Sequence, residues 1–157
     1  MLKQRLQKDL NEALKKGDEI SRSTLRMLLA AILNREKEKK YKEKLEGEPE
    51  LTDQEIIEVI ASEAKKRKEA IYEFNRGKRE DLVKKEKAEL EILENYLPEQ
   101  ISEEDLKKIA EETVREVKAK EMKDMGKVMA VLMPKIKGEA DGSEVSRIVK
   151  EILTKQK

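Results

Sequence analysis

The residues of this chain with the most evident chemistry are its lysines and arginines, because ammonium and guanidinium groups bind phosphate. Residues 65–87 hold ten basic side chains against five acidic ones, a local surplus in a chain whose overall net charge is only +1. The alternative interpretation is a solvated helix face with ion pairs one turn apart, such as Lys65 with Glu69. The candidate phosphate-binding residues of this basic cluster are Arg67, Arg76, Lys78, Arg79, Lys84 and Lys85.

Aromatic side chains would extend this chemistry to base stacking, but the cluster contains few of them. Tyr72 and Phe74 are expected to point at least partly inward, so the pattern does not favour stacking on single strands.

A second candidate lies in residues 123–142, where methionines, glycines and a proline are concentrated. Gly126 and Ala130, one helical turn apart, favour close approach by a neighbouring helix, a backbone or a ligand. Lys123 and Lys127 are expected on the exposed side of the same helix. The opposite arc predicts core packing, with a binding groove as the alternative, and consists of Met125, Val128, Met129, Leu132 and Met133.

Pro134 is predicted to end that helix, and "PKIKGEADG" then turns through Gly138 towards a helix that starts at Gly142. Free N–H groups at a helix start, together with Lys135 and Lys137, favour phosphate binding. Glu139 and Asp141 oppose it, because they bring negative charge and Asp141 can cap the same N–H groups. The residues themselves slightly favour the structural interpretation.

Catalytic chemistry is poorly represented. The chain has no cysteine and no histidine, which removes thiolates, imidazole bases and the commonest metal ligands. Ser62 and Lys65 have the spacing of a Ser/Lys pair but no Gly-rich loop to supply an oxyanion hole, and Glu86 with Glu89 lacks the histidines of a di-metal site. The sequence therefore predicts no catalytic residues, no metal and no cofactor.

The elements that must position these residues are expected to be helices only. Aromatic residues make up 3% of the chain, while aliphatic residues recur at helical spacing throughout. Asp18, Thr52 with Glu55, and Ser102 with Asp105 read as helix starts, and Gly17 and Gly77 as helix ends. Met27, Ala30 and Ala31 widen the apolar face of the second helix, which suggests a central helix packed on more than one side.

Pro98 divides the chain into an expected N-terminal four-helix region, residues 1–97, and a C-terminal three-helix bundle, residues 98–157. The start "MLKQRLQKDL" has no apolar core of a signal peptide, and no apolar run approaches the ~20 residues of a membrane span. A soluble cytoplasmic protein without membrane contact is therefore predicted. The Lys/Glu-rich composition also favours a thermophilic source.

Three stretches resemble the YqeY-like family: "STLRMLLAAILNREKEK" from Ser23, "EFNRGKREDLVKKEKAELEILENYLPEQ" from Glu73, and "KDMGKVMAVLMPKIKGEADG" from Lys123. That family is related to the tail domain of GatB, the B subunit of the glutamine-dependent aspartyl/glutamyl-tRNA amidotransferase. In the amidotransferase the related tail helps to hold tRNA at its elbow, while other domains carry out catalysis. Glu139 departs from the family pattern, since many members carry a basic residue there.

The resemblance implies that the tRNA contact candidates are Lys123, Gly126, Lys127, Lys135, Lys137, Gly138 and Gly142. The other matched signature, which contains Tyr96 and Gln100, is expected to maintain the domain junction instead. The leading hypothesis is a non-catalytic tRNA-binding or amidotransferase-accessory protein. A protein–protein interaction adapter is the first alternative, and a carbon–nitrogen ligase with glutamine as amido-N-donor, a label inherited with the family, is the second.

Overall fold

The computed structural model describes residues 1–136 and 138–155. Within them the chain forms seven α-helices, one short 3₁₀ helix and no strand, which confirms the all-α prediction. None of the described helices is both long enough and apolar enough to cross a membrane. The helices are α1 (Leu2–Lys16), α2 (Glu19–Glu43), α3 (Asp53–Arg76), α4 (Glu80–Glu94), α5 (Glu103–Glu116), α6 (Met125–Lys135) and α7 (Gly142–Lys155).

The helix boundaries of the N-terminal half follow local capping chemistry. Gly17 ends α1 with φ of 69°, a left-handed conformation that glycine adopts without steric cost. Asp18 then caps α2 by accepting from the N–H of Ser21 at 3.1 Å. Thr52 and Glu55 form the reciprocal capping box at the start of α3, with N···O distances of 3.2 and 2.7 Å. These predicted caps are confirmed.

Residues 1–97 form one compact unit. Its α2 helix contacts α1, α3 and α4, as expected for a central helix, and supplies Leu25, Leu28 and Ile32 to the core. These three contacts agree with the prediction of a helix packed on more than one side, although Met27 is 51% exposed and Ala30 is exposed as well. The buried apolar residues of this core are Leu6, Leu25, Leu28, Ile32, Leu51, Ile56, Ile60 and Leu93.

Residues 98–157 form the second compact unit. Helices α5 and α7 run parallel, since Arg147 meets Glu103 near their starts while Arg115 and Lys155 line the same groove near their ends. Val128 and Leu132 of α6 are completely buried against them, and Met125, Met129 and Met133 pack on the same core. The methionine arc therefore belongs to the core, as predicted.

The predicted end of the methionine helix at Pro134 needs correction. Helix α6 is preceded by a 3₁₀ turn, Met122–Asp124, and continues through Pro134 to Lys135. Pro134 is tolerated as the penultimate residue because it removes only one hydrogen bond from the last turn. Helix α4 ends at Glu94, and the chain continues in turns, in which the N–H groups of Tyr96 and Leu97 donate to the carbonyls three residues earlier.

Candidate nucleic-acid interface

The start of α6 is the most open part of the second candidate region. Lys123 is 78% exposed, with its Nζ 3.1 Å from Glu121, and Lys127 is exposed without an ion pair to any described residue. A Cβ placed on Gly126 would meet no described atom within 4 Å. Of the three alternatives that the sequence offers for Gly126 and Ala130, no described helix of this chain makes the close approach, since nothing described lies within 4 Å of a Cβ at Gly126 and Ala130 is exposed. Their surroundings remain free for a ligand.

Asp124 fixes the turn that leads into this helix start. Its Oδ2 accepts from the backbone N–H of Lys120 at 2.9 Å and of Glu121 at 3.2 Å. These two hydrogen bonds are the main reason why the pKa of Asp124 lies below its ordinary value, and the nearby Lys127 and Lys123 ammonium groups lower it further. Asp124 therefore stays ionised and offsets part of the charge of the two lysines.

At the other end of α6, Lys135 contacts residues of α5 in the same unit. Lys135 Nζ lies 2.8 Å from Glu116 Oε2 and 3.2 Å from Thr113 Oγ1, both on α5. Its charge is thus paired across to another helix, which separates it from the unpaired Lys127 and from Lys123, whose partner Glu121 is two residues away and exposed. Lys137, the neighbouring candidate, lies outside the described residues.

Gly138 and Gly142 also have structural tasks. Gly138 has φ of 79°, a left-handed conformation that disfavours other residues, and its carbonyl accepts from Gln100 Nε2 at 2.9 Å. Gly142 is the first residue of α7, and Asp141 beside it accepts from the N–H of Ser143 at 3.2 Å. The carboxylate therefore occupies the helix start that the sequence offered to a phosphate, so the structural interpretation of this loop is the stronger one.

The basic cluster of residues 65–87 loses one member to the interior. Arg67 is only 8% exposed, with its Nε 2.9 Å from Glu89 Oε2 and 3.5 Å from Glu86 Oε2. Neither contact has hydrogen-bond geometry, so they are contacts between charges. A third carboxylate, Glu63, lies 3.8 Å from Nη1. Arg67 joins α3 to α4 and does not belong to an exposed phosphate-binding surface.

The remaining candidates of the cluster are exposed. Arg76 pairs with Glu73 at 3.7 Å and Arg79 with Asp81 at 3.4 Å. Lys78, Lys84 and Lys85 are exposed and make no ion pair with the described residues, and the predicted pair of Lys65 with Glu69 does not form. Local pairing therefore neutralises only part of this surface.

Tyr72 contradicts the expectation of an inward aromatic side chain. It is 64% exposed on α3, and the Cζ of Arg76 lies 5.9 Å from the centre of its ring. Phe74 is partly buried, as expected. The exclusion of base stacking rested on both aromatics and no longer holds for Tyr72.

Two further signature residues act within their own units. The hydroxyl of Tyr96 donates to Asp9 Oδ2 at 2.5 Å, and the guanidinium carbon of Arg5 lies 4.9 Å from the centre of its ring. Burial raises the pKa of Tyr96 most, and the hydrogen bond to Asp9 raises it further. Gln100 spans from Pro98 to Gly138 through its side-chain amide. These contacts give Tyr96 and Gln100 roles in packing within their units.

No catalytic arrangement accompanies these surfaces in the described part of the chain. Ser62 and Lys65 are both exposed on α3, and no hydrogen bond joins them. Among the described residues, no three carboxylates are grouped so that they could hold a metal ion. The carbon–nitrogen ligase hypothesis stays an untested prediction.

The fold and these surfaces define an all-helical protein with exposed cations at two places, one in each unit. A family model described as Yqey-like protein matches residues 3–153, so the chain belongs to the YqeY-like family. It is similar over 155 residues, at 34% identity, to the mitochondrial Altered inheritance of mitochondria protein 41 of Pyrenophora tritici-repentis. That match covers 95% of this chain and 79% of the relative.

Other relatives match shorter regions. The mitochondrial Altered inheritance of mitochondria protein 41 of Kluyveromyces lactis is 38% identical over 91 residues, 58% of this chain and 45% of the relative. An uncharacterized protein of Schizosaccharomyces pombe is 32% identical over 97 residues, 62% of this chain and 72% of the relative. The chain thus spans less than half of the Kluyveromyces relative. The names of these mitochondrial relatives contradict the prediction of a cytoplasmic protein.

Proposed function

We propose that this YqeY-like protein is a non-catalytic tRNA-binding or tRNA-amidotransferase accessory protein that contacts RNA through the start of α6. The observation that carries the proposal is the contrast between the two ends of this helix. Lys127, next to Gly126, is exposed and makes no ion pair with a described residue, and Lys123 is 78% exposed and pairs only with the exposed Glu121. Lys135, in contrast, is held against α5 by Glu116 and Thr113. The resemblance to the GatB tail supports tRNA as the nucleic acid.

The physical basis is electrostatic contact with phosphates. Each phosphate contact releases about one condensed counterion from a duplex, so the logarithm of affinity falls with the logarithm of salt by roughly 0.9 per contact. Gly126 has no side chain, so a phosphate or sugar can approach the first turn of α6 between the two lysines. Lys123 and Lys127 together should therefore account for about two units of the salt slope.

The test is binding of folded tRNA, measured by fluorescence anisotropy between 50 and 200 mM salt. We expect the double substitution Lys123→Glu/Lys127→Glu to weaken binding and to reduce the salt slope. Lys108→Glu is the matched control, because Lys108 is an exposed lysine of α5 in the same unit that pairs with no described residue. Binding of tRNA no tighter than that of random duplex at low salt, or equal weakening by Lys108→Glu, would refute the proposal.

The adapter function is the second candidate, and one groove favours it. Helices α5 and α7 enclose a groove of about 350 Å³ over Ile148 and Ile152, with charges of both signs along its rim. Mixed charges around an apolar floor suit an amphipathic helix of a protein partner. A partner that survives nuclease treatment and is lost on Glu111→Lys would favour this function, and a nuclease-sensitive partner would exclude it.

A further inference from the structure

We propose that the exposed face of α3 around Tyr72 binds a single-stranded segment of RNA, with the ring of Tyr72 stacked on an unpaired base. The inference deepens the proposed tRNA function and rests on it for the identity of the natural ligand. It places a second contact in the N-terminal unit and names an unpaired nucleotide as its ligand.

The first argument is the position of the ring. Tyr72 is 64% exposed, although its ring is a large apolar surface. A tyrosine ring exposed in this way offers a flat face on which any base can stack, irrespective of its sequence. The guanidinium of Arg76, 5.9 Å from the ring centre, lies one helical turn away and can contact a stacked base or its phosphate.

The second argument is the charge along the same face. Lys65, Lys68, Tyr72 and Arg76 follow the helical repeat at spacings of three and four residues, so they lie along one side of α3. At 1.5 Å per residue, Lys65 and Arg76 are about 16 Å apart along the helix axis, which is long enough for a few nucleotides. The positions of cations on both sides of the ring suit a strand whose backbone passes over it.

The third argument is that these cations are available. Of the cations along this side of α3, Lys65 and Lys68 make no ion pair with described residues, and neither does Lys78 in the turn after the helix. Arg76 is held only by Glu73 at 3.7 Å, and both side chains are about two-thirds exposed. Such an exposed pair contributes little stability and can be exchanged for a phosphate contact. Glu69, four residues from Lys65 and three from Tyr72, lies on the same side of α3, and Glu73 lies at its edge, so this side keeps a surplus of one positive charge.

Tyr41 shows what an exposed tyrosine looks like without this setting. It is 87% exposed near the end of α2, yet no described cation lies over its ring. Lys39 and Lys40 are engaged with Glu55 at 2.9 Å and with Glu48 at 2.8 Å. Lys37 and Lys44, one helical turn from Tyr41, make no ion pair with the described residues, so the two tyrosines differ in the cation over the ring of Tyr72 and not in local charge. Tyr41 therefore provides a matched control in the same unit.

The experiment compares two labelled probes on the full chain: an eight-nucleotide adenylate RNA and an abasic strand with the same number of phosphates. Stacking of one base predicts that Tyr72→Ala weakens adenylate binding by about 5-fold to 150-fold and leaves abasic binding unchanged. Tyr72→Phe should retain most of the affinity, and Tyr41→Ala should have no effect. Because Tyr72 is exposed, its replacement is not expected to disturb folding, and circular dichroism would verify this.

Three results would overturn the inference. The first is wild-type binding of adenylate no tighter than binding of the abasic strand, and the second is equal loss on Tyr72→Ala and Tyr41→Ala. Loss of a protein partner on Tyr72→Ala, with unchanged adenylate affinity, would also overturn it in favour of a protein contact. Failure of tRNA binding with intact, Tyr72-dependent adenylate binding would refute the proposed function and leave the stacking site standing.

Discussion

Replacement of Arg67 by methionine should destabilise the N-terminal unit far more than an ordinary arginine substitution. Arg67 is 8% exposed and Glu89 5% exposed, and their charges are 2.9 Å apart. Coulomb's law with an effective dielectric constant of about 20 gives an attraction of roughly 6 kcal/mol at this distance, which is offset in large part by the desolvation of both groups. Methionine fills a similar volume but leaves Glu89 buried without its cation.

Loss of one partner from a buried pair costs about 3–5 kcal/mol, and we expect Arg67→Met to lower the free energy of unfolding by that amount. Urea denaturation of the full chain, followed by circular dichroism, measures it. Arg76→Met is the matched control, because the exposed Arg76 of the same helix has a single pair at 3.7 Å and should cost less than about 1 kcal/mol.

The double substitution Arg67→Met/Glu89→Leu tests the cause. It removes both charges, so it should recover most of the stability lost in Arg67→Met, because apolar replacement of a complete buried pair is often neutral. The reasoning would be refuted by a cost below 1 kcal/mol for Arg67→Met, or by a double variant less stable than the single one.

Two further predictions concern pH. The pKa of Glu55 is lowered in the folded protein by the N–H of Thr52 and by Lys39, so its contribution to stability is present above the ordinary value of 4.5 and is lost as the pH falls. Glu55→Gln, which can retain the cap, should differ from wild type in unfolding free energy at pH 7, and the difference should shrink as the pH falls below 4.5. A difference independent of pH would contradict this. The pKa of Tyr96 is raised, so its contribution to the free energy of unfolding is present below the ordinary value of 10.0 and declines as the pH rises beyond it. Tyr96→Phe should lower the free energy of unfolding by about 1 kcal/mol at pH 7, and this loss should shrink above pH 10. A loss that stays constant with pH would point to packing alone.

The helices were predictable because their ends depend on neighbouring residues. The Thr52–Glu55 capping box and the Gly17–Asp18 boundary need no tertiary information, and both form. Pro134 shows the limit of such rules, since a proline in the last turn removes too little hydrogen bonding to end the helix earlier.

The candidate sites were harder to predict, because exposure depends on neighbouring helices. Arg67 carried a usable signal: it falls between Ala64 and Ile71 on the apolar repeat of α3, where a solvated arginine is not expected. Tyr72 is adjacent to that repeat, so its direction could be decided only by the packing of α4. The pairing of Lys135 with Glu116 joins residues nineteen positions apart, so no local sequence pattern indicates it.

The open first turn of α6 has a thermodynamic consequence. A methyl group at Gly126 would meet no described atom within 4 Å, and alanine is the better helix former by roughly 0.5–1 kcal/mol. The free protein would therefore fold at least as well with alanine at this position. Glycine here therefore forgoes helix stability and leaves a strip of bare backbone between two lysines, open to the approach of a ligand.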